Sequence, residues 1–325
     1  MTPSPSSKVR VAVVGVGHLG SIHARVYSQL PSAQLVAVCD LLPERAAQIA
    51  RQHRCKPLTD YRELLGQVDA VSIAVPTQAH HPIARDFLSR GIHTLVEKPI
   101  SQTLQEADDL IQQAEKSGVV LSVGHVERFN AALRKAHAIL QDPRFIEVHR
   151  LAPFQPRGTE VGVVLDLMIH DLDLLLWLVK SPVQRVEAVG VKVLTPFEDI
   201  ANARVTFANG AVANVTASRI SKEAMRKFRI FQSARPDGQA GTYVSMDFLG
   251  NAIDIYRHEA ARITHERLSI SGEEPLKAEL ESFLQAARDR KPPPVSGQQA
   301  REALALALQV TDLVHQNHPQ GALTP

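Results

Sequence analysis

Val9-Arg10-Val11-Ala12-Val13-Val14-Gly15-Val16-Gly17-His18-Leu19-Gly20 decides the fold. Val11, Val13 and Val14 are β-branched and suit a pleated strand covered on both faces. The strand stops at Gly15 and turns directly into a helix, with glycines at 15, 17 and 20 in the spacing G-x-G-x-x-G. In that spacing the first glycine permits the tight turn, the second lets a pyrophosphate approach the backbone, and the third lets the helix lie close to the strand. Free amides at the helix start and the positive end of its dipole hold phosphates. A second strand, Leu35 to Asp40, ends on an acid twenty residues after Gly20. A carboxylate there accepts hydrogen bonds from an adenosine ribose and repels a 2′-phosphate, which favours NAD over NADP. Arg45, a turn further on, is the one nearby cation. The alternative is a glycine turn that holds no nucleotide.

Outward from this stretch the chain alternates strand and helix. Helices are predicted over 19–30, 43–53, 61–66, 80–90 and 104–117, and strands over 70–75, 93–96 and 119–123. Such βαβ succession makes a parallel sheet covered by helices. The pattern changes after Gly124. Helices are predicted over 129–140, 165–179 and 276–288, and a strand over 145–151. Six further strands, at 183–193, 201–207, 211–218, 227–232, 242–248 and 252–256, have no crossover helices, which implies a mainly antiparallel sheet. Ser296 and Gln299 have capping-box spacing and open a helix that runs to about 315.

Size and composition narrow the function. A chain of 325 residues has room for two domains, and 44% apolar residues support full cores. The apolar run at 174–179 is far short of the roughly twenty residues needed to span a bilayer, so no membrane partner is expected. Residues 1–8 are polar and lack a signal peptide's apolar stretch, which reads as a disordered leader on a cytoplasmic protein. Cys39 and Cys55 give neither metal spacing nor a disulfide framework. A net charge of +2, from 36 basic and 34 acidic side chains, argues against a dedicated nucleic-acid binder.

Two constellations carry candidate chemistry. Glu97-Lys98-Pro99 follows a strand, where ligands of doubly wound sheets bind. Pro99 restricts Lys98 to an extended backbone. Lys98 reads equally as a reacting group and as a surface lysine in a turn. Asp166, His170 and Asp173 lie at i, i+4 and i+7 of an otherwise apolar helix and are expected on one face. They read as an acid–imidazole site or as a satisfied structural pair. Arg219, Lys222, Arg226, Lys227 and Arg229 form a basic cluster. It reads as a diphosphate partner or as a solvated edge strand with protective charges. No metal is needed.

Taken together, the glycine loop with His23, Asp40, Val75-Pro76-Thr77 with His80, Glu97-Lys98-Pro99 and Asp166…His170…Asp173 resemble the Gfo/Idh/MocA oxidoreductases over nearly the whole chain. The resemblance implies an α/β N-terminal Rossmann domain at 1–124 and an α+β C-terminal domain at 125–325 with an open, mostly antiparallel sheet. The last helix, 297–315, would return to the first domain, and the sheet's outer face would pair subunits as a homodimer or homotetramer. Expected NAD contacts are Gly15, Gly17, His18, Leu19, Gly20 and Asp40, with Pro76, Thr77, His80, Glu97 and Lys98. The resemblance assigns catalysis to Lys98, Asp166 and His170, with Lys98 and His170 both eligible as the base. The family's glycine between Asp166 and His170 is Met168 here, which bears on helix packing or the pocket wall.

Gly124-His125-Val126-Glu127-Arg128-Phe129-Asn130 and the stretch 164–171 resemble, more narrowly, the branch acting on UDP-N-acetylglucosamine or its uronate. That branch oxidises the 3-hydroxyl to a ketone, which a partner aminotransferase then aminates, as in lipid A biosynthesis. Arg128, Asn130, Arg157 and Arg219 are the further candidates for holding the sugar. Another UDP-sugar, a free sugar or inositol is the alternative substrate. A non-catalytic, cofactor-binding regulator is the alternative class, although that class tends to lose the lysine or histidine retained here.

Overall fold

The computed structural model describes residues 8–156, 159, 161–234, 238, 240–250, 252–259, 262–269 and 274–316. Of the expected leader, residues 1–7 lie outside the described residues. By its internal contacts the chain divides into two units, Met1–Phe129 with Glu273–Glu302, and Asn130–Gly272 with Ala303–Pro325. The limits expected from the sequence differ from this division at two places. The first segment runs five residues further, to Phe129, and a later segment joins the first unit.

The first unit contains β1 (Val9–Val14), α1 (His18–Gln29), β2 (Ala33–Cys39), α2 (Pro43–His53) and β3 (Lys56–Leu58). Then come β4 (Ala70–Ile73), α3 (His80–Ser89), β5 (His93–Glu97), α4 (Leu104–Ser117) and β6 (Leu121–Gly124). The strands pair in parallel in the order β3-β2-β1-β4-β5-β6. Chain direction across the sheet reverses between β1 and β4, the position at which doubly wound sheets bind ligands. Local chemistry sets the helix ends. Thr103 and Glu106 form a capping box at the start of α4, and Gly118 ends it at φ 64°.

The Rossmann core is completed by a helix distant in sequence. In α7 (Pro275–Asp289), Leu276, Leu280, Phe283 and Leu284 recur at helical spacing and join the core with Val11, Val13, Tyr27 and Leu95. The capping box at Ser296 and Gln299 is present, with both reciprocal bonds made, at 3.2 and 3.3 Å. It opens α8 (Gly297–Gln316), whose Leu306, Ala307, Val310 and Val314 belong to the core of the second unit.

The second unit begins with α5 (Ala131–Ile139) and β7 (Phe145–Leu151). The helix expected at 165–179 opens instead with a π-helical turn, Val164–Met168, before α6 (Ile169–Val179). Then follow β8 (Val183–Val191), β9 (Ile200–Phe207), β10 (Val212–Ser218), β11 (Met225–Gln232), β12 (Thr242–Asp247), β13 (Ala252–Glu259) and β14 (Arg262–Ser269). The sheet order is β14-β13-β12-β11-β7-β10-β9-β8, antiparallel except for the pair β7/β10. Leu172, Leu174 and Leu175 of α6 pack with the inner-face residues Val148, Ala203, Val215 and Ile230. Met168 is fully buried in this core, so its departure from the family glycine bears on packing. β14 was not expected from the sequence. It is an exposed, charge-rich edge strand without the buried alternation that marks a strand. Among the described residues no helix is long and apolar enough to cross a membrane.

The place of α7 can be tested directly. Phe283→Ala, at a site 1% exposed, is expected to cost about 3–5 kcal/mol of first-unit stability. Chemical denaturation read through NAD binding should show the lowered midpoint, and an unchanged midpoint would mean that α7 is not part of that core.

Candidate functional site

The first unit builds a phosphate-binding turn. Gly15 has φ +82°, and a Cβ there would lie 2.6 Å from the Ala74 carbonyl oxygen. A Cβ on Gly20 would lie 1.8 Å from the Gly15 carbonyl oxygen, so only glycine lets α1 start so close to the loop. At Gly17 a Cβ would meet nothing within 4 Å. Gly17 is the N-cap of α1 and, having no side chain, makes no capping bond to its first amides. His18 and Leu19, in the first turn, are exposed. Open space in front of unbonded amides at the positive end of a helix fits a pyrophosphate.

Asp40 is fixed beside this loop. Its Oδ2 accepts from the Val16 amide at 3.0 Å, and its Oδ1 from the Leu42 amide at 3.0 Å. The Arg45 guanidinium stands 3.4 Å from Oδ2. Leu41 and Leu42 are exposed next to the acid and present apolar surface that suits an adenine ring. The arrangement fits an NAD-type dinucleotide. Gly15, Gly17, Gly20 and Asp40 are thus brought together by backbone packing and by one amide–carboxylate bond.

Lys98 is held through its neighbours. The Lys98 amide donates to Glu97 Oε2 at 3.2 Å. Glu97 Oε1 lies 3.0 Å from Nε2 of His23, on α1, and both side chains are nearly inaccessible. A Cβ on Gly124 would lie 2.7 Å from the Glu97 carboxyl carbon, so that glycine makes room for the acid. On the far side of Lys98, the Pro99 carbonyl lies 2.8 Å from Nδ1 of His80. Nε2 of His80 lies 2.8 Å from the Val75 carbonyl. His80 was expected as a direct NAD contact, yet both its ring nitrogens face backbone carbonyls. Pro76 is exposed and Thr77 half-buried in the short 3-10 turn Thr77–Ala79 before α3. The placement of His23 and His80 on the two flanks of Lys98 was not legible in the sequence, because it rests on partners far apart in the chain.

In the second unit Asp166 sits inside the π-helical turn and His170 one turn on, both half-exposed. Asp173, expected on the same face, is fully buried. Asp166 lies in the π turn, whereas His170 and Asp173 both lie in α6, and π turns recur at functional sites. The expected substrate residue Arg219 is 5% exposed. Its Nη2 donates to the Val161 carbonyl at 2.8 Å and lies 3.9 Å from Asp166 Oδ2. It braces the residues just before the π turn and sets a positive charge beside Asp166.

The basic cluster is divided by the pleat of β11. Lys227 and Arg229 point to the outer face and pair with Asp247 and Glu147 at 3.4 and 3.2 Å. Arg226 shares the inner side with Phe228 and Ile230, over the Phe248 ring, and burial lowers its pKa to about 10. Directly opposite it on β7, Arg150 forms a two-pronged pair with Asp171 at 2.7 Å for both bonds. Burial raises the Asp171 pKa against the opposing effect of that arginine. Arg150 and Asp171 were not singled out from sequence. The alternation Ile146, Val148, Arg150 was the signal that Arg150 points inward.

Asn130 caps α5 through its Oδ1, which accepts from the Leu133 amide at 3.4 Å. Arg128 is 5% exposed at the end of the first unit's opening segment. Arg157 lies outside the described residues. Among the described residues no cluster of His, Cys, Asp and Glu is arranged to hold a metal ion.

Comparison with known proteins agrees with this reading. Residues 9–125 match the family model described as an oxidoreductase family with an NAD-binding Rossmann fold, and residues 132–235 match the GFO/IDH/MocA C-terminal domain. The chain is 40% identical to UDP-N-acetylglucosamine 3-dehydrogenase of Acidithiobacillus ferrooxidans over 93% of this chain and 96% of that protein. A solved structure of that enzyme superposes with a TM-score of 0.88 over 95% of this chain and 99% of the other. Myo-inositol 2-dehydrogenase of Thermotoga maritima is 26% identical over 92% and 94% of the two chains. Levoglucosan dehydrogenase in complex with NADH shares the fold, with a TM-score of 0.84 at 18% identity over 95% and 98% of the two chains.

The Asp40–Arg45 contact predicts the effect of a coenzyme-switching substitution. Asp40→Ser removes the acid that repels a 2′-phosphate and leaves Arg45 able to pair with one. The ratio of kcat/KM for NADP to that for NAD is expected to rise by about tenfold or more, equivalent to about 1.4 kcal/mol. An unchanged ratio would show that Asp40 does not face the ribose.

Proposed function

The chain belongs to the Gfo/Idh/MocA oxidoreductases, an NAD-binding family, and on that premise we propose that it oxidises the 3-hydroxyl of UDP-N-acetylglucosamine to a ketone. The observation that carries this reading is the 40% identity to a UDP-N-acetylglucosamine 3-dehydrogenase over 93% of the chain. The inositol dehydrogenase that matches a similar share of the chain does so at 26%.

When bound, NAD supplies the hydride acceptor. Gly15, Gly17 and Gly20 would hold its pyrophosphate and Asp40 its ribose. The chain's task is to orient the hydroxyl and take its proton. Lys98 Nζ and the His170 ring are the two groups proposed for that step. Asp166 would orient the imidazole and fix its tautomer, with Arg219 standing 3.9 Å from the acid. Arg226, on the inner face of its sheet, is the cluster member that best suits an anionic substrate.

A 3-keto sugar is a natural substrate for an aminotransferase, which places this reaction ahead of an amination. The 3-amino sugar so formed can carry an amide-linked acyl chain, as lipid A requires. The coenzyme and the nucleotide sugar are both cytoplasmic metabolites, which supports a cytoplasmic site of action. We also propose that the outer face of the second sheet joins copies of the chain. Phe145, Phe231, Tyr243, Tyr256 and His265 form a ladder across five strands there, with ring centroids 4.5 to 5.7 Å apart. Aromatic surface of this kind is enriched at subunit interfaces.

Reduction of NAD can be followed by absorbance at about 340 nm with UDP-N-acetylglucosamine, its uronate, free sugars and inositols. An aminotransferase and an amino donor would draw off the ketone. UDP-N-acetylglucosamine should give the highest kcat/KM. Preference for an inositol would overturn the substrate, and NAD binding without any turnover would favour a regulator. Lys98→Met is expected to lower kcat by about a hundredfold or more while NAD binding, read by fluorescence, survives. For the proposed interface, Tyr243→Glu should lower the mass seen by light scattering, and an unaltered oligomer would exclude that face.

A further inference from the structure

His80 opens α3 and is 1% exposed. Its imidazole spans two chain segments that follow neighbouring strands. Nδ1 is 2.8 Å from the carbonyl of Pro99, just after β5, and Nε2 is 2.8 Å from the carbonyl of Val75, just after β4. A carbonyl oxygen only accepts, so each contact is attractive when the facing nitrogen carries a proton. Pro99 is the residue after Lys98. On the other flank Nε2 of His23 lies 3.0 Å from Glu97 Oε1, and the Lys98 amide donates to Glu97. The backbone that presents Lys98 is therefore flanked on both sides by imidazoles rooted in two different helices. Burial lowers the His80 pKa, while the two carbonyls and Glu97 oppose that and Lys98 adds to it.

We propose that His80 is a positioning residue for Lys98, tying the turn that carries the lysine to the Val75–Pro76 segment rather than touching coenzyme or sugar itself. The proposal rests on the reading of Lys98 as a reacting group. The physical ground is that a reacting atom displaced by about 1 Å can lose about a hundredfold in rate. The Pro99 carbonyl and the Lys98 side chain belong to adjacent residues joined by one planar peptide bond. A lost tether at Pro99 shifts that side chain, whereas a lost tether at Val75 shifts only the preceding loop.

Two amide side chains separate these tethers. The amide nitrogen of Asn falls near the position of Nδ1, and that of Gln near Nε2. His80→Asn therefore keeps a donor for Pro99, and His80→Gln keeps one for Val75. With UDP-N-acetylglucosamine as substrate, His80→Ala is expected to lower kcat by about ten- to a hundredfold, with the Kd for NAD changed less than about threefold. His80→Asn should recover clearly more of kcat than His80→Gln. Equal activity of the two amide variants, or better recovery by Gln, would overturn the proposal. So would a loss that falls on the Kd for NAD while kcat stays normal, which would return His80 to the coenzyme site. Thermal melts identify a poorly folded Ala variant, and the Asn–Gln comparison then carries the test. Lys98→Met serves as the control. Near-normal turnover in that variant ends the reading of Lys98 itself, whatever the His80 series shows.

Discussion

A Cβ at position 20 would overlap the carbonyl oxygen of Gly15 at 1.8 Å, and the arrangement of the first unit follows from that constraint. Because α1 starts in contact with the end of β1, its amides face the space beyond the strand ends. The same closeness brings the Val16 amide to Asp40, so the phosphate-binding turn and the ribose acid are set by one piece of backbone. One turn further along α1, His23 reaches the buried Glu97. The helix whose first amides face that space thus also sets an imidazole against the residue before Lys98. Sites carried by packed elements hold their geometry better than sites on loops alone.

The second unit secures its candidate acid and imidazole by different means. Their segment begins with a π turn, and the residues before that turn are held from outside. Arg219 bonds to the Val161 carbonyl, and the Glu198 carbonyl accepts from the Val163 amide. The Glu198 side chain fills the space where a Cβ on Gly162 would be. The adjoining loop is pinned by Asp199. Burial raises that acid's pKa, but three backbone amides and the Thr195 hydroxyl outweigh it and bring it down to about 2. Deeper in, the Arg150–Asp171 pair occupies the inner face. Breaking such a buried pair leaves an uncompensated charge and costs about 3–5 kcal/mol.

Much of the architecture was legible because it is written in local periodicity. The βαβ rhythm gave the parallel sheet, and the capping box at Ser296 marked a helix start. The run of strands without crossover helices gave the second, mainly antiparallel sheet. β14 escaped because an exposed edge strand buries no alternating face and so has no period to read. The π turn escaped because Val164–Met168 uses residues that suit an ordinary helix, and the widening depends on what packs around it. The basic cluster looked like one patch in sequence. The pleat of β11 sends Arg226 to one face and Lys227 and Arg229 to the other.

The sequence by itself determined the coenzyme loop, the parallel sheet around it, the family and the candidates for the reacting groups. These follow from short-range spacing, from residue types that few other chemistries require together, and from resemblance along the chain. The tertiary structure alone decided how those groups are held. It brought α7 into the Rossmann core from the far end of the chain. It set His23 against Glu97 and His80 across Val75 and Pro99, and it placed Arg219 beside Asp166. The physical reason is that a hydrogen bond between residues tens of positions apart leaves no periodic mark. Its partners are chosen by packing, and packing exists only once the chain has folded.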